Sequence, residues 1–125
     1  MSDDTIQQVY MRITGKIQDG QKQLSQIEAQ LNAHQREIRL AALTQRELEG
    51  LDSTVPLYRS MGKMFIQEKK EDLLKAIAKD TDDSNKMIEA LEKKQKFVKR
   101  DVDEATNNLR DIVRATSQAA AKGSK

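Results

Sequence analysis

The chain has 125 residues, 34% of them charged and 3% aromatic, with one Pro and no Cys. Such a length allows one ordinary domain, and two Phe, two Tyr and no Trp leave too few large side chains to fill a thick core. The net charge of +2, from 22 basic and 20 acidic residues, lacks the basic excess of a dedicated nucleic-acid binder; charge-rich, aromatic-poor sequence with regular aliphatic spacing belongs to long helices and coiled coils.

The first element is such a helix, expected over about 4–40. Positions four and three residues apart hold Ile6, Tyr10, Ile13, Ile17, Gly20, Leu24, Ile27, Leu31, His34 and Ile38, eight of ten apolar. That spacing predicts a left-handed coiled-coil seam. Gly15 and Gly20 interrupt it, each costing about 1 kcal/mol against Ala. Both glycines, Gly20 of them in the seam, read either as tolerated weakness or close helix approach, or as a source of local pliancy. On both readings, Ala at the two positions raises helicity. His34 is the only His. It reads as a packed, satisfied side chain rather than a metal ligand, since no Cys or second His completes a set.

The pattern changes after Ile38. Leu43-Thr44-Gln45-Arg46-Glu47-Leu48 predicts a separate short helix over 44–50, with Thr44 as N-cap and Glu47 completing a capping box. Gly50 stops it. Residues 55–67 then predict a β-hairpin. Val55-Pro56-Leu57-Tyr58-Arg59 forms one strand and Met64-Phe65-Ile66-Gln67 the other, around a turn in which Gly62 takes positive φ. Pro56 confines its strand to an edge or marks where it begins.

The second long helix is expected over 70–118. Its seam runs through Leu74, Ile77, Thr81, Ser84, Ile88, Leu91, Gln95, Val98, Val102, Ala105, Leu109, Ile112, Thr116 and Ala119, ten of fourteen apolar. Four acid–base pairs in the favourable order, Glu71→Lys75, Asp82→Lys86, Glu89→Lys93 and Glu92→Lys96, support a solvated face. Residues 119–125, rich in Ala, Gly, Ser and Lys, are expected to fray. The fold class is therefore mainly α: a long antiparallel two-helix coiled coil with a single β-hairpin at the connection. At 1.5 Å per residue the helices would be roughly 55 and 75 Å long.

A lone hairpin is marginal in water. This one is apolar on both faces, with Val55 and Leu57 on one side, Tyr58 on the other, and Met64, Phe65 and Ile66 similarly split. One helix pair does not cover both faces, so the hairpin is expected to join strands from other chains.

Helix, hairpin and helix with matching seams resemble the β-type subunits of the prefoldin family. The run Tyr58-Arg59-Ser60-Met61-Gly62-Lys63-Met64-Phe65-Ile66-Gln67 is similar to that family's hairpin, with its aromatic strand, Gly turn and Phe-Ile strand. One hairpin rather than two is the β-type pattern. The resemblance implies a non-enzymatic, ATP-independent co-chaperone without cofactors. Two α-type and four β-type chains would form a hexamer whose hairpins build a shared β-barrel. Arm tips would capture unfolded proteins, actin and tubulin among them, and deliver them to the cytosolic group II chaperonin.

The assembly residues are then Val55, Leu57, Tyr58, Gly62, Met64, Phe65 and Ile66. The client-binding residues lie where the two chain ends meet. Ile6, Tyr10, Ile13, Leu109 and Ile112 fit both the seam and a client-holding surface, whereas Val9, Met11 and Val113 are not needed by the seam. Met suits a promiscuous surface because it is flexible and polarizable. Arg114, Lys122 and Lys125 make a basic end. This reads as a solubilising tail or, following the resemblance, as contact with an acidic chaperonin surface.

Other classes are set aside. No Cys excludes thiolate and disulfide chemistry. The longest apolar runs, such as Leu40–Leu43, are far too short to span a membrane. The acidic N-terminus lacks a signal-peptide core. Neither a P-loop nor a Gly-x-Ser-x-Gly motif occurs, and no carboxylate pair stands out as a catalytic dyad. A soluble cytosolic or nuclear protein is expected; the resemblance points to the cytoplasm. The competing reading is a structural coiled-coil scaffold or tether, which needs only a loop where residues 55–67 stand.

Overall fold

The structure, a computed structural model, describes residues 3–123. The element order is α1 (Asp3–Glu49), β1 (Leu57–Met61), β2 (Met64–Glu68) and α2 (Lys70–Gly123). This is the expected fold class, two long helices with one antiparallel hairpin between them. The described residues form two compact units, one of residues 3–29 with 92–123 and the other Gln30–Leu91.

In the first unit the seam is buried at Gly20, Ile27, Val98 and Ala105, with Ile27 only 2% exposed. Gly20 lies against Val98 and Val102, and a Cβ built on it would collide with the Val102 side chain. Close approach is thus the reading that holds. Ala at Gly20 sets its helix-propensity gain against a stiff β-branched neighbour. A Cβ at Gly15 meets nothing within 4 Å.

The seam also shifts near the start of α1. Val9 is half-buried while Tyr10 is exposed, and Ile6, Ile13 and Ile17 are half-buried. The seam there reads 6, 9, 13, 17, 20. Consecutive four-residue steps form a stutter, which locally unwinds the supercoil because an α-helix drifts against a strict heptad.

In the second unit the helices run antiparallel. Lys70 Nζ, at the start of α2, donates to the carbonyls of Glu49 at 3.3 Å and Leu51 at 3.0 Å. Further along, Ser84 Oγ donates to Glu37 Oε2 at 3.4 Å. His34 is half-buried in the seam, its Nδ1 3.4 Å from the same Glu37 oxygen. That nitrogen is nevertheless a buried atom without a hydrogen-bonded partner. His34 is packed, as expected, but not satisfied.

Two boundaries differ from the sequence reading. There is no separate helix over 44–50, because α1 runs unbroken to Glu49. Thr44 Oγ1 donates back to Leu40 O at 2.9 Å, a bond available to a Thr inside a helix and not to an N-cap. α2 remains helical to Gly123, five residues beyond the expected end, on the helix-forming strength of its Ala run. The four i,i+4 pairs do not close either. Among the described residues the ion pairs within 4 Å are His34–Glu37 and Arg59–Glu68. Exposed pairs gain too little to hold two long side chains in one geometry.

Candidate interaction surfaces

The hairpin begins where Pro56 ends a turn. Val55 N donates to Asp52 O at 3.1 Å, so Val55 sits in that turn and not in the strand expected for it. Pairing runs from Leu57↔Glu68 to Met61↔Met64. The connection is the two residues Gly62 and Lys63, with φ of 63° at Gly62 and no positive φ at any described non-Gly residue. That is the pattern of a type II′ turn, whose twist matches that of the strands it joins.

Directly opposed residues share a face of the sheet. One face therefore carries Leu57, Arg59, Met61, Met64, Ile66 and Glu68, the other Tyr58, Ser60, Phe65 and Gln67. Arg59 and Glu68 pair at 3.5 Å on the first face. Phe65 is 73% exposed and Met64 70%, and Tyr58, Met61 and Ile66 are exposed with them. Leu57 alone among the strand's large apolar residues is half-buried. The sheet has just two strands, so each also has a free edge able to pair with another chain. Burying one such side chain contributes about 1.5–3 kcal/mol, so covering the hairpin with another chain is favourable.

The residues expected to hold clients divide differently. Ile6, Val9, Ile13, Leu109 and Ile112 are half-buried and serve the helix pair. Tyr10, Val113 and Met11, the last 72% exposed, face outward. Arg114 is exposed. Lys125 and the side chain of Lys122 lie outside the described residues.

Several exposed apolar residues escaped the sequence reading: Leu40, Leu43, Met61, Met87 and Phe97. Helical position could have found most of them. Leu40 and Leu43 lie off the Ile38 seam, and Phe97 immediately precedes the seam residue Val98. Met61 is the last residue of β1, beside the Gly62 turn. Among the described residues no group of three or more His, Cys, Asp or Glu is placed to hold a metal, and no helix is long and apolar enough to cross a membrane.

Seam-forming helices with a solvent-exposed hairpin between them define a coiled-coil protein whose surface is laid out for binding other chains. A family model described as "Prefoldin subunit" matches residues 11–115, and the chain belongs to that family of chaperone-type subunits. It is 29% identical over 112 residues to the "Probable prefoldin subunit 1" of Schizosaccharomyces pombe, covering 90% of this chain and all of that protein (100%). It is 26% identical over 110 residues to "Prefoldin subunit 1" of Homo sapiens, covering 88% of this chain and 90% of that one. Leu43-Thr44 with Glu47-Leu48, just upstream of the hairpin, resembles the first subunit of the eukaryotic complex, and these relatives carry that name. The fold matches the crystal structure of the prefoldin beta subunit from Thermococcus strain KS-1 with a TM-score of 0.75, at 20% identity, covering 84% of this chain and 92% of that chain.

Proposed function

We propose that the chain is a β-type subunit of a hexameric, ATP-independent co-chaperone of two α-type and four β-type chains. Its hairpin completes a β-barrel shared between subunits. The assembled arms capture unfolded proteins, actin and tubulin among them, and pass them to the group II chaperonin in the cytoplasm. The function is holding rather than catalysis and requires no cofactor. The observation that carries this reading is the hairpin itself, with large apolar side chains open on both faces and both edges unpaired. A tether would need only a loop there.

The test compares the chain expressed alone with the chain co-expressed with five partner subunits. Native mass measurement should find a defined heterohexamer only on co-expression. Phe65→Asp with Met64→Asp should abolish incorporation while far-UV circular dichroism stays helical. A stable homodimer from the single chain, indifferent to those substitutions, would favour the tether.

A further inference from the structure

Every aromatic side chain of this protein is exposed: Tyr10, Tyr58, Phe65 and Phe97. Tyr58 and Phe65 belong to the hairpin, and Tyr10 lies beside the seam near the start of α1. Phe97 stands apart from both. It is 65% exposed on α2 and, with Lys93, Lys96 and Arg100, lines a shallow hollow. These positions recur at three- and four-residue intervals, so they share one helix face. Residues 93–100 hold five basic residues, Lys93, Lys94, Lys96, Lys99 and Arg100, and no acid. None of the five closes an ion pair within 4 Å among the described residues.

We infer that this face docks an acidic protein segment carrying one apolar anchor residue, the anchor seated on Phe97 and its flanking carboxylates facing Lys93, Lys96 and Arg100. The charge runs for eight residues, roughly 12 Å of helix. Glu92 ends it on one side and Asp101, Asp103 and Glu104 on the other. A nucleic-acid backbone or an anionic membrane extends past that length and would meet those carboxylates. A short acidic segment can be confined within it. Charge steers the encounter, and the exposed ring supplies apolar area at little conformational cost.

The test uses the full chain co-purified with its partner subunits and a fluorescein-labelled peptide of Asp and Glu around a central Leu-Phe pair. Anisotropy should show saturable binding that weakens steeply as salt rises. Phe97→Ser should weaken it about tenfold, and Lys93→Glu with Arg100→Glu at least as much. Circular dichroism checks that the helices persist. Should charge reversal lower helicity, Lys93→Gln with Arg100→Gln reads the same dependence. A polyglutamate peptide without the anchor should bind more weakly than the anchored one. The inference fails if binding is not saturable, if the substitutions leave it unchanged, or if a single-stranded oligonucleotide or phosphatidylserine vesicles bind this face more tightly than the peptide.

Discussion

Gly20 and Gly15 look alike in the sequence and behave oppositely in the folded chain. Each lies within α1, where Ala is favoured by about 1 kcal/mol. At Gly15 a methyl group enters open space, so Gly15→Ala should raise stability by about that amount. At Gly20 it collides with Val102, and overpacking of this kind costs about 1–3 kcal/mol. Gly20→Ala should therefore lower the thermal midpoint, and Val102→Ala should relieve part of the loss. A double-mutant cycle by thermal denaturation of the assembled complex measures this. Additive effects would mean the two residues do not meet. Threonines show a second local device. The hydroxyls of Thr14, Thr44, Thr81, Thr106 and Thr116 each donate to the carbonyl four residues earlier. Thr81 thereby occupies a seam position without an unsatisfied hydroxyl.

At the scale of elements, the junction between α1 and the hairpin depends on a residue the sequence does not mark. Helix C-termini leave carbonyls without intrahelical donors, and a cation there is favoured by the helix dipole. Lys70 Nζ, 19 and 21 residues away in sequence, reaches the carbonyls of Leu51 and Glu49. Gly50 marks the stop, as expected. It follows the last helical residue, but Gly62 is the only positive-φ residue among those described. Lys70→Ala should cost about 1 kcal/mol, with Lys70→Arg costing less, as read by the urea midpoint and by faster amide exchange at the end of α1. An unchanged midpoint and exchange rate would show that water caps the carbonyls equally well. The hairpin itself was readable in advance. Gly62 and the alternation of strand residues are local signals. The first strand moved from residues 55–59 to Leu57–Met61, because Pro56 offers no N–H to a ladder, and the second gained Glu68.

For the whole molecule, the surface left open in the single chain is where its function has to be sought. All four aromatic residues and all the methionines among the described residues, Met11, Met61, Met64 and Met87, are exposed. Exposed Met and aromatic side chains suit binding partners that vary. On the proposed function, client capture should depend on Met11 and Val113 more than on Val9, which the seam already uses. The variant Met11→Ser with Val113→Ser, assembled into the complex, should lose most of its ability to suppress aggregation of a denatured client while retaining its hexameric mass. Val9→Ser should instead lower thermal stability. If Val9→Ser impairs capture with stability unchanged, the assignment of Val9 to the seam is wrong.

Much of this protein is set by its sequence alone, because its strongest signals are periodic and local. A repeat of about 3.5 residues specifies two long helices and the faces they bury. Alternation with one Gly turn specifies the hairpin, and too few aromatics for a core of its own point to partners. Other features depend on what lies opposite each residue, which no spacing encodes. The facing Val102 makes Gly20 necessary, and the stutter exchanges Val9 for Tyr10. Solvation keeps the i,i+4 ion pairs open, and α1 continues past Thr44 because the hydroxyl finds Leu40. Lys70 caps a helix end that the chain reaches only by folding back through the hairpin. The outcomes at Gly20 and Lys70 were decided by tertiary structure, since each sets a local preference against a neighbour distant in sequence.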